Sequence, residues 1–324
     1  MRLLPPFVLL VLSPFVGEFL LGNIEPVPSS WLASLLPLVL LYGGGALVIR
    51  EVTRRLGRGY PTMALFAVGY ALLEEGIVLG TLFNRGYLDL GLLEYGWLPA
   101  LGTSPVWSGY VLTIHTVWSI LVPIVLTEHL FRARAHRPWL PVPGTITVLV
   151  AYLLGAAVVG VGNYFTYQFL PSGGQIVAVL VLVGGCIAIG LVLRPAVRRG
   201  LPGEIPSPRS TAVLAAVASS LFVFTQDPVG LGWSVPPAVT LAAMVLTAGA
   251  GTAGVALASR RAAWTARHTL AAATGALVTY VWSGFFVQFS IHGYTTPGLV
   301  AQLVFVGIAV ALLLGAWRQQ RTSG

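Results

Sequence analysis

The sequence is poor in charged residues and contains no lysine. Only 9% of its 324 residues are charged and 56% are hydrophobic, whereas charged residues make up about 25% of a soluble globular domain. A chain this apolar cannot cover a core with polar surface, so the composition excludes a soluble protein and predicts lipid as the solvent. All 18 basic residues are Arg, which gives a net charge of +8. Because they lie in short loops between apolar runs, we attribute them to membrane topology and exclude nucleic acid as a partner.

The chain also has a single cysteine, Cys186, which lies inside an apolar run. This excludes an internal disulfide and a thiolate metal cluster, and we interpret Cys186 as a packing residue. The first apolar run has no small-residue cleavage pattern and contains Pro5, Pro14 and Glu18. We therefore expect a retained first helix and not a cleaved signal peptide.

Ten apolar runs have about the length that a helix needs to cross the bilayer. They cover residues 5–22, 31–50, 61–82, 106–128, 145–168, 174–194, 210–226, 235–258, 268–291 and 296–317. The sequence contains no convincing repeat and no soluble segment. It predicts an all-α fold, a polytopic transmembrane bundle of about ten helices, with residues 1–324 forming one transmembrane domain surrounded by membrane lipids.

The loops alternate in charge along these ten helices. Every Arg except Arg85 falls on one side of the predicted membrane, and Glu25, Asp89, Glu94 and Asp227 fall on the other. The positive-inside rule places the Arg side in the cytoplasm, so both termini are expected there and the protein in the cell membrane. The longest external stretch, residues 84–105, is semi-apolar. It is expected to lie at the interface or to fold back over the bundle as a lid.

Three ionisable residues lie deep in the predicted helices and are the main functional candidates, because such residues are costly in hydrocarbon. At 1.5 Å per residue, Glu74 lies about 20 Å from the cytoplasmic edge and His115 about 13 Å below the outer edge. Glu74, Glu75 and His115 therefore share one level and are the predicted catalytic residues. Neighbouring residues of an α-helix point about 100° apart, so the two carboxylates are expected to diverge.

Other polar residues fall near the same level. We predict Glu18, Asn163 and Gln288 as substrate-binding residues, since each ends an apolar run close to the depth of His115. The polar layer lies mostly within residues 1–170, whereas residues 171–324 form mainly apolar helices. At the cytoplasmic end, Glu128 and His129 are interpreted as an interfacial charge cluster.

Residues 72–140 resemble a group of uncharacterised multi-pass prokaryotic membrane proteins. The resemblance covers about a fifth of the chain and implies no activity. The shared features are LLEEGIV at Leu72–Val78, LFN at Leu82–Asn84, YLDLGLLEYG at Tyr87–Gly96, the His of LTIHTVWSI at Leu112–Ile120, and Pro123, Ile124 and Glu128.

A Glu pair followed by a His on the next helix also resembles the CPBP intramembrane proteases, which process CAAX proteins and bacteriocins. The resemblance implies that Glu74, Glu75 and His115 match that family's acids and first His. The sequence departs from the family at the motif Arg, which is Leu79 here, and at the Phe, which is Val111. The third motif, His-x-x-x-Asn or Asp, has no clear counterpart.

Three functions remain in competition. The first is a membrane-embedded hydrolase that cleaves a peptide or lipid, with a Glu as the general base. His115 and Glu75 then either bind a metal ion, for which zinc is the candidate, or polarise the attacking water directly. A catalytic zinc normally has three protein ligands, and the sequence offers His115 and one Glu, with Asn163 or His292 as the third. In a proton-coupled small-molecule transporter, Glu74 or Glu75 exchanges the proton. The third function is a non-catalytic membrane subunit.

Overall fold

Ten helices form the fold of the chain over the described residues 3–193, 200–226 and 234–321 of the computed structural model. Of the residues used above for topology, Arg2, Arg194, Arg198, Arg199 and Asp227 lie outside these ranges. The helices are α1 Leu4–Phe19, α2 Pro28–Arg55, α3 Tyr60–Val78, α4 Pro105–Leu130, α5 Val142–Tyr167, α6 Gly173–Val192, α7 Pro208–Phe224, α8 Pro237–Ala258, α9 Ala266–His292 and α10 Thr296–Arg321.

The predicted transmembrane bundle is confirmed, and each helix coincides with a predicted span to within a few residues at most ends. Eight of the described helices are long and apolar enough to cross a membrane, and α1 and α7 are shorter. The outer helices expose many large apolar side chains, for example Val181, Leu246 and Phe286. In a membrane protein such surfaces face lipid, which stabilises them as the interior of a soluble protein would.

Helix α4 lies at the centre of the bundle, and 72% of its most apolar stretch is buried. Its Trp118 ring stacks on Tyr280 of α9 with ring centroids 4.8 Å apart, and its indole N–H donates to the Ala276 carbonyl at 2.7 Å. Helix α4 is therefore packed against α9, which belongs to the last third of the chain.

A cluster of buried ion pairs joins the Arg-rich ends of α2 and α4. Glu128 accepts from the Arg54 Nε at 2.8 Å, from the Arg50 Nε at 3.1 Å and from the Tyr60 hydroxyl at 2.8 Å. Arg50 also pairs with Glu51, and its guanidinium lies 3.5 Å from the centre of the Trp139 ring. We call these residues the Arg50–Glu128 cluster.

The structure corrects the interpretation of Glu128 and His129 as an interfacial charge cluster. Glu128 is 1% exposed and Arg50 is fully buried. The two ring nitrogens of His129 lie 2.7 Å and 3.0 Å from the backbone carbonyl oxygens of Val125 and Ala266. Charges at a helix end are normally solvated, but here two Arg and two Glu neutralise one another, so the cluster can be buried.

The segment between α3 and α4 packs against the end of the bundle. Leu93 is fully buried, and the Tyr95 hydroxyl donates to the Val235 carbonyl at 2.7 Å. Ser104, which caps α4, donates its hydroxyl to the Tyr95 carbonyl. Burial raises the pKa of Tyr87, so its phenol remains neutral. The segment is folded onto the bundle, and its role as a lid stays a prediction.

Candidate functional site

Glu74, Glu75 and His115 meet inside the bundle. The Nε2 atom of His115 lies 2.8 Å from Oε1 of Glu75, and Nδ1 lies 3.3 Å from Oε2 of Glu74. Glu74 is fully buried and His115 is 6% exposed. One imidazole therefore lies between two carboxylates, each near a different ring nitrogen. We call these three residues the Glu–His–Glu centre.

The two carboxylates diverge as expected, because they approach opposite nitrogens of His115, yet both contact the same ring. Residues Glu74–Val78 form a π-helical turn and not an α-helical one, so the 100° spacing does not apply to them. In addition, His115 presents its two nitrogens in different directions. Both carboxylates can therefore approach the same ring without pointing the same way.

π-helical turns carry most of the polar side chains at this level. Such turns are rare, and they occur frequently at functional sites. Four of them lie in the described helices, and each contributes to the site. They are Phe15–Phe19 with Glu18, Val39–Gly43 with Tyr42, Glu74–Val78 with both acids, and His115–Leu121 with His115 and Ser119.

Glu75 and His115 are held by a further layer of hydroxyl groups. The Thr81 hydroxyl donates to Oε2 of Glu75, and the Trp107 indole N–H lies 3.4 Å from the Thr81 oxygen. The Ser119 hydroxyl lies 3.3 Å from Nδ1 of His115. Ser119 is positioned in turn by Ser13, whose hydroxyl donates to its backbone carbonyl at 2.6 Å. These bonds fix Glu75 and the imidazole in place.

Glu18 joins the site through Tyr42, a residue that the sequence pattern does not single out. The Tyr42 hydroxyl donates to Oε1 of Glu18, and the Asn23 amide donates to Oε2 at 3.2 Å. The Tyr42 ring centre lies 5.6 Å from that of His115. Both carboxylate oxygens of Glu18 therefore accept hydrogen bonds, and Tyr42 provides its contact with the centre.

Glu74 is different, because neither of its carboxylate oxygens accepts a hydrogen bond from the described residues. Tyr70 lies one turn earlier on α3, and its buried hydroxyl also lacks a hydrogen-bond partner within that part of the chain. Buried polar groups are usually hydrogen-bonded, so a donor and an acceptor that both lack partners on one face of α3 make this position a functional candidate.

Asn163 and Gln288 are not part of the centre. The Asn163 amide donates to the Leu79 carbonyl at 2.8 Å, where the Glu74–Val78 turn ends. Gln288 is buried against Gly22 and Gly298 near the end of α1. Asn163 thus supports the backbone that carries the acids, and a direct contact of either residue with substrate stays a prediction.

A small cavity lies beside the site. It has a volume of about 150 Å³ and is lined by Leu90, Gly91, Leu92, Tyr95, Val106, Trp107 and Gln226. The Trp107 side chain forms part of its wall and also contacts Thr81, the partner of Glu75. The cavity is therefore separated from the Glu–His–Glu centre by two side chains.

The centre has the donor types that zinc prefers, and one ligand atom from each of its residues lies within 4.8 Å of the others. However, the two carboxylates lie at opposite nitrogens of one imidazole. An ion at Nε2 would be ligated by His115 and Glu75, with Glu74 left to orient the ring through Nδ1. That is one ligand fewer than a catalytic zinc normally has, so the residues present fit the metal incompletely.

Residues 7–320 match the model of an uncharacterized membrane protein family. The match covers nearly the whole chain, and the protein belongs to this family. No curated protein and no solved structure matches the chain. The fold and the family thus define a multi-pass membrane protein in contact with lipid, and they assign no activity to it.

Proposed function

We propose that the protein is a membrane-embedded hydrolase that cleaves an ester or amide bond of a lipid or peptide. Glu74 is the general base and takes a proton from a water, whose oxygen adds to the carbonyl carbon. Protonated His115 gives its Nδ1 proton to the leaving oxygen or nitrogen as that bond breaks. The proton on Glu74 then returns to Nδ1 of His115, 3.3 Å away, and the products are an acid and an alcohol or amine.

The observation that supports this assignment is that the carboxylate of Glu74 accepts no hydrogen bond from the described residues. Glu75 is bonded to Thr81 and His115, and Glu18 to Tyr42 and Asn23. Glu74 forms no hydrogen bond within the described residues, and its Oε2 atom lies 3.3 Å from Nδ1 of His115, which leaves Oε1 for a water. A general base must be within hydrogen-bond reach of the water that it activates, which requires a free oxygen.

The roles of the other two residues follow from their contacts. His115 donates from Nε2 to Glu75 at 2.8 Å, and this bond fixes the tautomer and the orientation of the ring, as the acid of a catalytic triad does. Glu75 also stabilises the positive charge of the protonated ring. No step of this mechanism requires a metal ion, which agrees with the incomplete ligand set. A reaction of this class is also what the resemblance of Glu74, Glu75 and His115 to the CPBP motifs would imply.

We also infer that both termini are cytoplasmic and that the chain forms a single domain in the cell membrane. The Arg-rich loops support this orientation by the positive-inside rule. The Glu–His–Glu centre then lies in the outer half of the membrane. A substrate would reach it from the outer leaflet or the outer surface.

Proton-coupled transport is the second candidate. The observation in its favour is that Glu18, Glu74 and Glu75 form no ion pair with an Arg in the described part of the chain, and His115 is their basic neighbour. Buried carboxylates without a fixed counter-ion can bind protons, as in the relays of pumps and transporters. In that case the centre would gain and lose a proton without breaking a covalent bond.

The test uses H₂¹⁸O, which labels the product of any ester or amide hydrolysis whatever the substrate is. Reconstituted protein is incubated in H₂¹⁸O with a total membrane lipid extract and a digest of membrane proteins, and new ¹⁸O-labelled carboxyl groups are identified by mass spectrometry. We expect labelled fatty acids or peptides from wild type and none from Glu74→Gln. Glu94→Gln, which changes an exposed Glu in the same way, should match wild type.

Two outcomes would contradict the hydrolase. If wild type gives no label, or if Glu74→Gln labels as fast as wild type, Glu74 is not a hydrolytic base. Transport is then examined with vesicles that contain a pH indicator. A solute-dependent pH change that is lost in Glu74→Gln would support the carrier.

A further inference from the structure

We propose that Tyr70 is a further catalytic residue, which binds the carbonyl oxygen of the substrate and stabilises the oxyanion that forms there. This inference rests on the proposed hydrolase. It identifies the substrate class more closely, as a neutral acyl compound whose carbonyl oxygen would accept a hydrogen bond from Tyr70 beside Glu74. Neither the sequence motifs nor the family match points to Tyr70.

The position of Tyr70 on α3 favours this role. Residues four apart on a helix lie on the same face, so Tyr70 and Glu74 present their side chains to one region. A hydrogen-bond donor and a base are thus placed next to each other, as acyl hydrolysis requires.

The Tyr70 ring is held rigidly by its neighbours. It packs between Tyr42 and Tyr152, with ring centroids 6.3 Å and 6.0 Å away. On a third side it lies against Gly45, where an added Cβ would overlap the ring atoms. Because the ring cannot turn freely, the hydroxyl keeps one position, and a preorganised donor is what an oxyanion site needs.

The hydroxyl of Tyr70 is also available for a ligand. Tyr42, the other phenol beside the centre, already donates to Glu18, whereas the Tyr70 hydroxyl is buried with no hydrogen-bond partner in the described part of the chain. An unpaired buried hydroxyl destabilises a protein unless a bound group pairs with it. The substrate carbonyl would provide that acceptor.

The step is balanced without any further reactant. As water oxygen bonds to the carbonyl carbon, the C=O π electrons move to the oxygen, and the Tyr70 O–H donates a hydrogen bond to it without losing its proton. When the leaving group departs with the proton from His115, those electrons restore the C=O bond. The surrounding rings of Tyr42, Tyr70 and Tyr152 are uncharged, which favours a neutral substrate.

The alternative is a structural Tyr70 whose hydroxyl simply donates to Glu74. Infrared difference spectroscopy separates the two roles in the full-length protein in lipid. The carboxyl stretching band of Glu74 is assigned from the difference between wild type and Glu74→Gln. If Tyr70 is free for substrate, this band stays in place in Tyr70→Phe. A shifted band would mean that the hydroxyl is bound to Glu74, and it would overturn the proposal.

Kinetics provide the second measurement, with the ¹⁸O-labelling reaction as the readout. Loss of one oxyanion donor lowers kcat by about 10²- to 10³-fold, so we expect Tyr70→Phe to lower kcat by that factor with little change in KM. The matched control is Tyr110→Phe, a buried Tyr that stacks on Phe222 at 5.9 Å, and it should retain the wild-type rate.

The outcomes distinguish the two proposals. If wild type labels products and Tyr70→Phe labels them at the same kcat, the oxyanion role is wrong and the hydrolase stands. A rise in KM alone would also overturn it, because that indicates uniform binding. If wild type labels nothing, the hydrolase itself fails, and the role of Tyr70 fails with it.

Discussion

Replacement of Glu128 by Gln should destabilise the protein strongly, because Glu128 carries half of the negative charge in the Arg50–Glu128 cluster. The cluster contains Arg50, Arg54, Glu51 and Glu128, so its formal charge is zero. In Glu128→Gln an Arg charge is left buried without a counter-ion. Removing one partner of a buried ion pair typically costs about 3–5 kcal/mol. We expect a loss of that size in the free energy of unfolding.

The measurement is reversible unfolding by SDS in mixed micelles, followed by tryptophan fluorescence. Trp139 is a direct reporter, since Arg50 lies over its ring. Glu94→Gln is the exposed control and should change stability by no more than about 0.5 kcal/mol. The double variant Arg54→Met/Glu128→Gln restores zero charge, so it should be more stable than Glu128→Gln alone. Equal stability of Glu128→Gln and the control would refute the reasoning, and so would a double variant less stable than the single one.

Three other predictions concern packing, metal content and orientation. An added Cβ at Gly43 would overlap the Leu10 backbone, so Gly43→Ala should lower the free energy of unfolding by about 1–3 kcal/mol or more. The control is Gly162→Ala, which should not destabilise the protein because the space around Gly162 is open. Purified wild type should contain no stoichiometric zinc by atomic emission, because the ligand set is incomplete. If it contains about one zinc per chain, and Glu75→Gln and His115→Ala both lose that zinc, Glu75 and His115 are zinc ligands and the prediction is wrong. In a Cys186→Ala background, an impermeant maleimide added outside cells should label Glu94→Cys and not Arg137→Cys, and the reverse pattern would invert the proposed topology.

The helices could be predicted from the sequence because a membrane imposes a simple constraint. A spanning segment must be apolar for about 20 residues and must bond its own backbone. Gly173–Val192 satisfies this over its whole length, and the predicted span matches it almost residue for residue. The match is poorer for Pro28–Arg55, because this helix ends with Arg50, Glu51, Arg54 and Arg55. A hydropathy pattern ends a span where charges begin, and here Arg50, Glu51 and Arg54 are buried inside the fold.

The three central residues of the site could also be predicted, since Glu74, Glu75 and His115 are ionisable groups at a depth where such groups are costly. Tyr42 and Tyr70 could not. Tyrosine is common in apolar helices, and its spacing from Glu18 and Glu74 does not show which hydroxyl is bonded and which is free. The π-helical turns are likewise invisible in the sequence, because the hydrophobic pattern of an α-helix continues through them without interruption.

The remaining question is why the protein keeps unpaired polar groups at its centre. Burial of Glu74 and of the Tyr70 hydroxyl without hydrogen-bond donors or acceptors destabilises the fold by roughly 1–3 kcal/mol for each group. Replacement by apolar residues would remove that cost, as it does in many buried ion pairs. Real proteins accept such local conflicts mainly at functional sites and compensate for them elsewhere. The Arg50–Glu128 cluster, whose ionic groups are all paired, lies at the other end of the same helices and shows the contrast. A purely structural centre would be expected to look like that cluster, whereas Glu74 and Tyr70 have the free atoms that a ligand needs.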